Sequence, residues 1–258
     1  MRVGLLVPAA GSGERLGLGT PKALVELDGQ PLVRRTLERL AQATTFNETV
    51  VLAPAAWLPQ MEQALAGLAT ALGQLQVCAG GATRQASVRA GLTALSPACD
   101  LVCVHDAARP LVDAATVRGV LEQARAHGAA TAASRPADSI RVEDGGDAAS
   151  GAISGSGDRS GTLSPSRTPA AGDGGGHAAV TRAVDRARVW LVETPQAFRR
   201  ELLERAHARA LRDGTEGTDD ASLVEALGVQ IRVVGSGSCN LKITSAADLL
   251  VARALLGL

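Results

Sequence analysis

Short apolar runs alternate with longer segments of three- and four-residue apolar spacing along most of this chain, and few folds accommodate that alternation. Val3–Val7, Thr49–Ala53, Leu75–Cys78, Leu101–Val104 and Ala129–Ala133 read as strands buried on both faces. Leu32–Ala43, Leu58–Leu72, Gln85–Leu95 and Ala114–Ala126 read as helices between them, with apolar residues such as Leu37 and Leu40, or Leu65, Leu68 and Leu72, on one side. Strand–helix alternation implies an α/β class: a mostly parallel sheet with helices on both faces. Ligands of such sheets bind beyond the C-terminal strand ends. The spacing predicts further elements at Val189–Glu193, Arg199–Leu211, Ala221–Leu227 and Gln230–Val234, and a last helix over Ala246–Leu256. Thr244 and Ser245 offer that helix a hydroxyl cap, with Asp248 in its first turn.

Composition narrows the function classes. The 258 residues carry no formal net charge, which argues against non-specific binding to nucleic acid or to anionic membranes. With 46% hydrophobic residues and only 2% aromatic, the core is expected to be built from Ala, Val and Leu. Cys78, Cys99, Cys103 and Cys239 form no CxxC pair and read as thiols of a reducing compartment. No run reaches membrane-span length and no cleavable signal is evident, so the expected location is cytoplasmic. From about Glu143 to Ala178 the chain is mostly Gly, Ser, Ala, Pro and Asp, too poor in large apolar groups to offset its ordering entropy, and is expected to be a flexible insertion.

The chemistry concentrates at strand ends. VPAAGSGERLGLGTPK, Val7–Lys22, follows the first strand and joins a small-residue turn (Ala9, Ala10, Gly11, Gly13) to Arg15 and Lys22. Backbone N–H groups, a guanidinium and an ammonium in one loop suit a phosphate. It is neither a Walker loop, since Lys22 lies between Pro21 and Ala23, nor a dinucleotide fingerprint, since Leu16 stands where the third Gly belongs. GGATRQAS, Gly80–Ser87, opens a helix after a strand; it could hold a base or ribose through Gly81 and Ser87, or be a plain helix cap. In HDAARP, His105–Pro110, Asp106 could hold a sugar hydroxyl or a magnesium ion, pair with Arg109, or do both, while His105 reads as structural. AVDR (Ala183–Arg186), TPQ (Thr194–Gln196), TDDAS (Thr218–Ser222) and NLKIT (Asn240–Thr244) are unremarkable singly, although Lys242 between apolar neighbours calls for an anion.

Taken in order, these motifs closely resemble the 2-C-methyl-D-erythritol 4-phosphate cytidylyltransferases of the non-mevalonate isoprenoid pathway, from Val3 to about Leu255 except the insertion. The first loop is shared with nucleotidyltransferases generally; HDAARP, TPQ and the late Lys narrow the resemblance to this branch. It implies one Rossmann-like nucleotidyltransferase domain over residues 1–258, with a flexible, extended dimerisation arm inserted at about 143–178. It also implies a homodimer exchanging that arm, CTP and 2-C-methyl-D-erythritol 4-phosphate as substrates, and Mg2+ or another divalent cation as cofactor. Arg15 and Lys22 would stabilise the transition state, and Arg186 and Lys242 would hold the attacking phosphate. Ala9, Ala10, Gly11, Gly81 and Ser87 would line the CTP site, with Arg84, Ala107 and Thr194 also in contact with substrate. Asp106, Arg109 and Thr218 would face the sugar alcohol or the metal, Asp106 binding the ion mainly through CTP phosphates.

Two departures stand out. Pro136 lies two residues before Asp138 where the family usually spaces them by three, and Ser139 takes a position often held by Thr. A cytidylyltransferase for another polyol phosphate, such as ribitol 5-phosphate, is the near alternative, and Ala108 favours methylerythritol. A silent nucleotide binder is the alternative of another class; cations for both reactants argue against it.

Overall fold

The computed structural model describes residues 1–11, 19–68, 72–143, 180–237 and 239–257. The elements, in chain order, are β1 (Val3–Pro8), β2 (Glu26–Leu27), β3 (Gln30–Pro31), α1 (Leu32–Ala43), β4 (Glu48–Ala53), α2 (Leu58–Leu65), β5 (Gln74–Ala79), α3 (Arg84–Ala94), β6 (Leu101–Val104), α4 (Ala114–His127), β7 (Ala129–Ser134), β8 (Ile140–Glu143), β9 (Val180–Val184), β10 (Leu191–Arg199), α5 (Arg200–Asp213), α6 (Asp220–Glu225), β11 (Arg232–Gly235) and α7 (Ala246–Leu255). They form two compact units, 1–134 with 191–258, and 135–190.

The first unit is built on a seven-stranded sheet in the order β11-β7-β10-β6-β1-β4-β5. All neighbours are parallel except β10, which runs antiparallel to both β6 and β7. Alternation along a strand sends successive side chains to opposite faces, which explains the unbroken apolar runs. Leu5 and Val7 of β1 pack with α1, α2 and α4 through Val33, Leu37, Leu40, Met61, Val117 and Leu121. Leu6, between them, packs on the other face with α3, α5 and α6 through Val88, Leu92, Leu203 and Val224. Burying each such Leu or Val stabilises the fold by about 1.5–3 kcal/mol. A third cluster seats α7 through Leu249 and Ala252 against Leu27, Leu32 and Ile243. The start of α7 is capped as its sequence indicates: Ser245 accepts from Asp248 N–H, and the Asp248 carboxylate accepts from Ser245 N–H in return.

Three elements differ from expectation. Helix α2 stops at Leu65 instead of running to Leu72, because Gly67 takes a positive φ of 72°. The strand expected over Val189–Glu193 runs from Leu191 through Pro195 to Arg199. Pro195 lies where the pairing register with β7 shifts, between Val192 and Gln196, so no ladder bond is asked of its missing N–H. The edge strand β11 begins at Arg232, two residues later than expected.

The second unit holds the antiparallel pair β8–β9. The Arg135 guanidinium lies 3.6 Å over the Trp190 ring and donates to the carbonyls of Ala187 and Val189. The insertion expected at about 143–178 lies outside the described residues, apart from Glu143 in β8.

Candidate active site

The C-terminal ends of β1, β5 and β6 open onto a cleft of about 400 Å³ in the first unit. Ala9, Ala10, Gly11 and Lys22 line one part of it, Gly81, Arg84 and Ser87 another, and Asp106, Ala107 and Lys242 a third, among other residues. These ten are all residues singled out in the sequence. The topology brings them together because β6 and β4 flank β1, and each adjoining loop leaves its strand at the same end of the sheet. Backbone bonds join loop to strand: Ala9 N–H donates to Leu52 O at 2.8 Å, and Gly80 N–H to Ala53 O at 2.8 Å.

The helix-cap reading of the second glycine motif holds. Thr83 caps α3, its hydroxyl accepting from Ala86 N–H. Ser87 is buried and folds the turn: its hydroxyl accepts from Gly81 N–H at 3.0 Å and donates to Thr83 O at 2.9 Å. The turn is close-packed, and a Cβ on Gly81 would lie 2.4 Å from the Ala86 Cβ.

Asp106 is the electrostatic hub. Its Oδ2 lies 2.7 Å from Lys242 Nζ and its Oδ1 3.2 Å from Arg84 Nε. Arg109, read from the sequence as its partner, is the distant one at 3.9 Å. Burial pushes the Asp106 carboxyl up, but the Arg84 and Lys242 charges outweigh it and hold the group below the usual carboxylate range. Of these cations Arg84 and Lys242 line the cleft, with Lys22, beside a single lining carboxylate, so its surface is positive and suited to a polyphosphate.

Arg109 and Thr194 do not line the cleft; they brace it. Arg109 is buried and donates to Asn240 O at 2.7 Å, two residues before Lys242. Thr194 Oγ1 accepts from Asp106 N–H at 3.0 Å. His105 is fully buried, with Nε2 3.2 Å from Arg109 O, and burial lowers its pKa to about 4, so it is a neutral donor to the backbone, as its structural reading requires. Thr218 is exposed in the turn before α6. Arg15 lies outside the described residues. Arg186 belongs to the second unit, where it donates to Ala137 O.

Several bracing residues escaped the reading of the sequence. Gln196 of TPQ is buried; its amide donates to Asp219 Oδ2 and accepts from Ala221 N–H, pinning the TDDAS turn. Asn240 of NLKIT donates to Glu193 Oε2 and to Thr194 O. Both stand inside motifs quoted above, so the signal was present without the partner. Among the described residues no three His, Cys, Asp or Glu side chains are grouped to hold a metal. No helix among them is long and apolar enough to cross a membrane.

Known proteins resemble this chain in sequence and in fold. The family model described as 2-C-methyl-D-erythritol 4-phosphate cytidylyltransferase matches residues 3–174 and 171–257. A protein of that name from Symbiobacterium thermophilum is 36% identical over 254 residues, covering 98% of this chain and 92% of the relative. Another from Deinococcus radiodurans is 39% identical over 257 residues, covering 99% and 90%. The crystal structure of 2-C-methyl-D-erythritol 4-phosphate cytidylyltransferase from Thermus thermophilus superposes with a TM-score of 0.71, at 34% identity and full coverage of both chains. The chain belongs to the 2-C-methyl-D-erythritol 4-phosphate cytidylyltransferase family.

Proposed function

We propose that this protein joins CTP to 2-C-methyl-D-erythritol 4-phosphate, giving 4-diphosphocytidyl-2-C-methyl-D-erythritol and pyrophosphate, in non-mevalonate isoprenoid synthesis. One observation carries the reading beyond family membership: Lys22 of the phosphate-loop motif and the Arg84–Asp106–Lys242 cluster line the same cleft. A phosphate oxygen of the polyol attacks the α-phosphorus of CTP, a new P–O bond forms, and the bond to the β-phosphate oxygen breaks. The attacking oxygen is ionised near neutral pH, so no general base is needed. The obstacle is bringing one polyanion to another, which positioning and fixed positive charge overcome.

In this reading the Ala10 and Gly11 amides and Lys22 receive the triphosphate. Lys22 and Arg15 carry the charge that develops on the leaving pyrophosphate. Gly81 and Ser87 shape the cytosine pocket. Lys242 turns from Asp106 to the attacking phosphate; its side chain is 40% exposed, which leaves it room to move. Arg186 supplies the second cation for that phosphate, carried on the arm of a partner subunit in a homodimer. Asp106, Ala107, Arg109, Thr194 and Thr218 form or support the polyol side.

A divalent cation would be held mainly by the CTP phosphates, since both oxygens of Asp106, the carboxylate lining the cleft, already face Lys242 and Arg84. Mg2+ keeps several waters and needs only one or two carboxylates beside substrate phosphates. Bound there, the ion would neutralise triphosphate charge. The reading also places the protein in the cytoplasm, where both substrates would be found.

The test is pyrophosphate release from CTP with no polyol phosphate, with 2-C-methyl-D-erythritol 4-phosphate, and with ribitol 5-phosphate, each in Mg2+. Release only with the first alcohol is expected. Release without any alcohol, or equal release with both, refutes the reading.

A further inference from the structure

The charge cluster at the cleft continues inward. Arg84 Nη1 donates to Asp220 Oδ2 at 2.7 Å, and Asp220 Oδ1 lies 2.9 Å from His207 Nε2. Lys242, Asp106, Arg84, Asp220 and His207 therefore form one unbroken row. Side-chain exposure is 40% at Lys242, 10% at Asp106 and 28% at Arg84 but only 1% at Asp220 and 2% at His207, so the row runs from the cleft into the core. Its inner end is rigidly seated. Asp220 begins α6, whose next residue, Ala221, donates its N–H to buried Gln196, while His207 sits in α5 among residues packed on the sheet. Burial opposes the Asp220 charge, but Arg84 and the His207 hydrogen bond hold the carboxyl below its ordinary range. An ionised Asp220 can only accept, so His207 Nε2 is the donor. His207 Nδ1 has no hydrogen-bond partner among the described residues.

A guanidinium is planar, so fixing one of its N–H groups fixes the direction of the others. With Nη1 on Asp220, Nε is aimed at Asp106 Oδ1. The same carboxylate holds Lys242 through Oδ2, and every electron pair Arg84 engages on Asp106 weakens the hold on Lys242. Without Asp220, the guanidinium would be free to turn fully onto Asp106 or away from it. We infer that Asp220 and His207 are positioning residues for the transfer reaction: from the core, they orient Arg84 and so set how Asp106 is divided between Arg84 and Lys242.

This inference rests on the cytidylyl-transfer reading. Its test is the rate of product formation from CTP and 2-C-methyl-D-erythritol 4-phosphate by the full chain and by Asp220→Asn, Arg84→Gln and the double variant. Asp220→Asn is expected to lower kcat/KM at least about tenfold, as small displacements of reacting groups do. Added to Arg84→Gln it should cost less than about twofold, since both act through one guanidinium. His207→Leu should lower the rate, and His207→Gln, whose amide can donate the same bond, should recover most of that loss. In nitrogen-15 spectra, the Arg84 Nε–H signal should shift in Asp220→Asn, a readout independent of activity. Equal losses from Asp220→Asn in both backgrounds, or a folded Asp220→Asn with unchanged kinetics, would overturn the inference. If Asp220→Asn does not fold, the His207 pair decides it: equal rates for the Leu and Gln variants refute it. A wild-type protein that forms no product would instead refute the transfer reading itself.

Discussion

His105 couples acid stability to the loop that carries Asp106. The imidazole is fully buried beside β6 and donates to Arg109 O, and burial holds its pKa at about 4, against an ordinary 6.5. Below pH 6.5 the unfolded chain takes up a proton that the folded chain refuses, so stability falls as pH falls. The loss continues until the folded pKa is reached. A gap of about 2.5 pH units at about 1.4 kcal/mol each gives about 3–4 kcal/mol, a large part of a typical domain's stability. The window is separate from that of Asp106 and Asp220. Their depressed carboxyls give stability that is present above the ordinary carboxylate pKa and lost only as pH falls below it. The perturbation is His105→Gln, which keeps an N–H donor and removes the titration. Urea midpoints of wild type and variant would be followed from about pH 7.5 to about pH 4.5. The wild type should lose stability more steeply, with the gap between the two curves changing by about 2–3 kcal/mol across that range. Parallel curves would show that His105 titrates alike in both states, and would refute the reasoning.

Other outcomes follow from the same geometry. Lys22→Ala should lower kcat by about 10²–10³ while changing the directly titrated CTP affinity far less, because its charge matters most as pyrophosphate leaves; equal losses in both would make Lys22 a ground-state binder. Gly81→Ala puts a Cβ 2.4 Å from the Ala86 Cβ and 3.0 Å from its carbonyl carbon, so the turn must shift off α3. CTP turnover should then drop about tenfold to a hundredfold with the fold intact by circular dichroism, and an unaffected rate would remove this turn from the nucleotide site. If Arg186 acts in the partner's site, mixing inactive Arg186→Ala with inactive Lys22→Ala under subunit exchange should restore about a quarter of wild-type activity in a twofold dimer. Verified heterodimers that stay inactive would return Arg186 to its own subunit or exclude it.

How much could be read from the sequence follows from which interactions are local. Strands β1, β4 and β6 are buried on both faces, so each announces itself as an apolar run. Helix α7 writes its own start in Ser245 and Asp248. Strand β10 misled because Pro195 reads as a strand end; only the register shift against β7, a property of the partner, makes room for it. Helix α2 misled because Leu72 keeps its place in the core after the helix has stopped. At the site, Lys22, Asp106 and Lys242 stood out as charges beside apolar runs. Asp220 lay in plain view within TDDAS, but its partner Arg84 is 136 residues away, and no spacing in one sequence joins them. Likewise, HDAARP invites pairing Asp106 with Arg109, three residues on, whereas the fold delivers Lys242 to the carboxylate at 2.7 Å.

The most direct measurement follows the atoms of the transferred group. 2-C-Methyl-D-erythritol 4-phosphate carrying oxygen-18 in its phosphate would be incubated with CTP, Mg2+ and the 258-residue chain, and the products separated and weighed by mass spectrometry. Attack by the polyol phosphate on the α-phosphorus should leave all of the label in 4-diphosphocytidyl-2-C-methyl-D-erythritol and none in pyrophosphate. Label in the pyrophosphate, or CTP consumed without the labelled diphosphate product, would contradict the assignment of this cleft as a cytidylyl-transfer site.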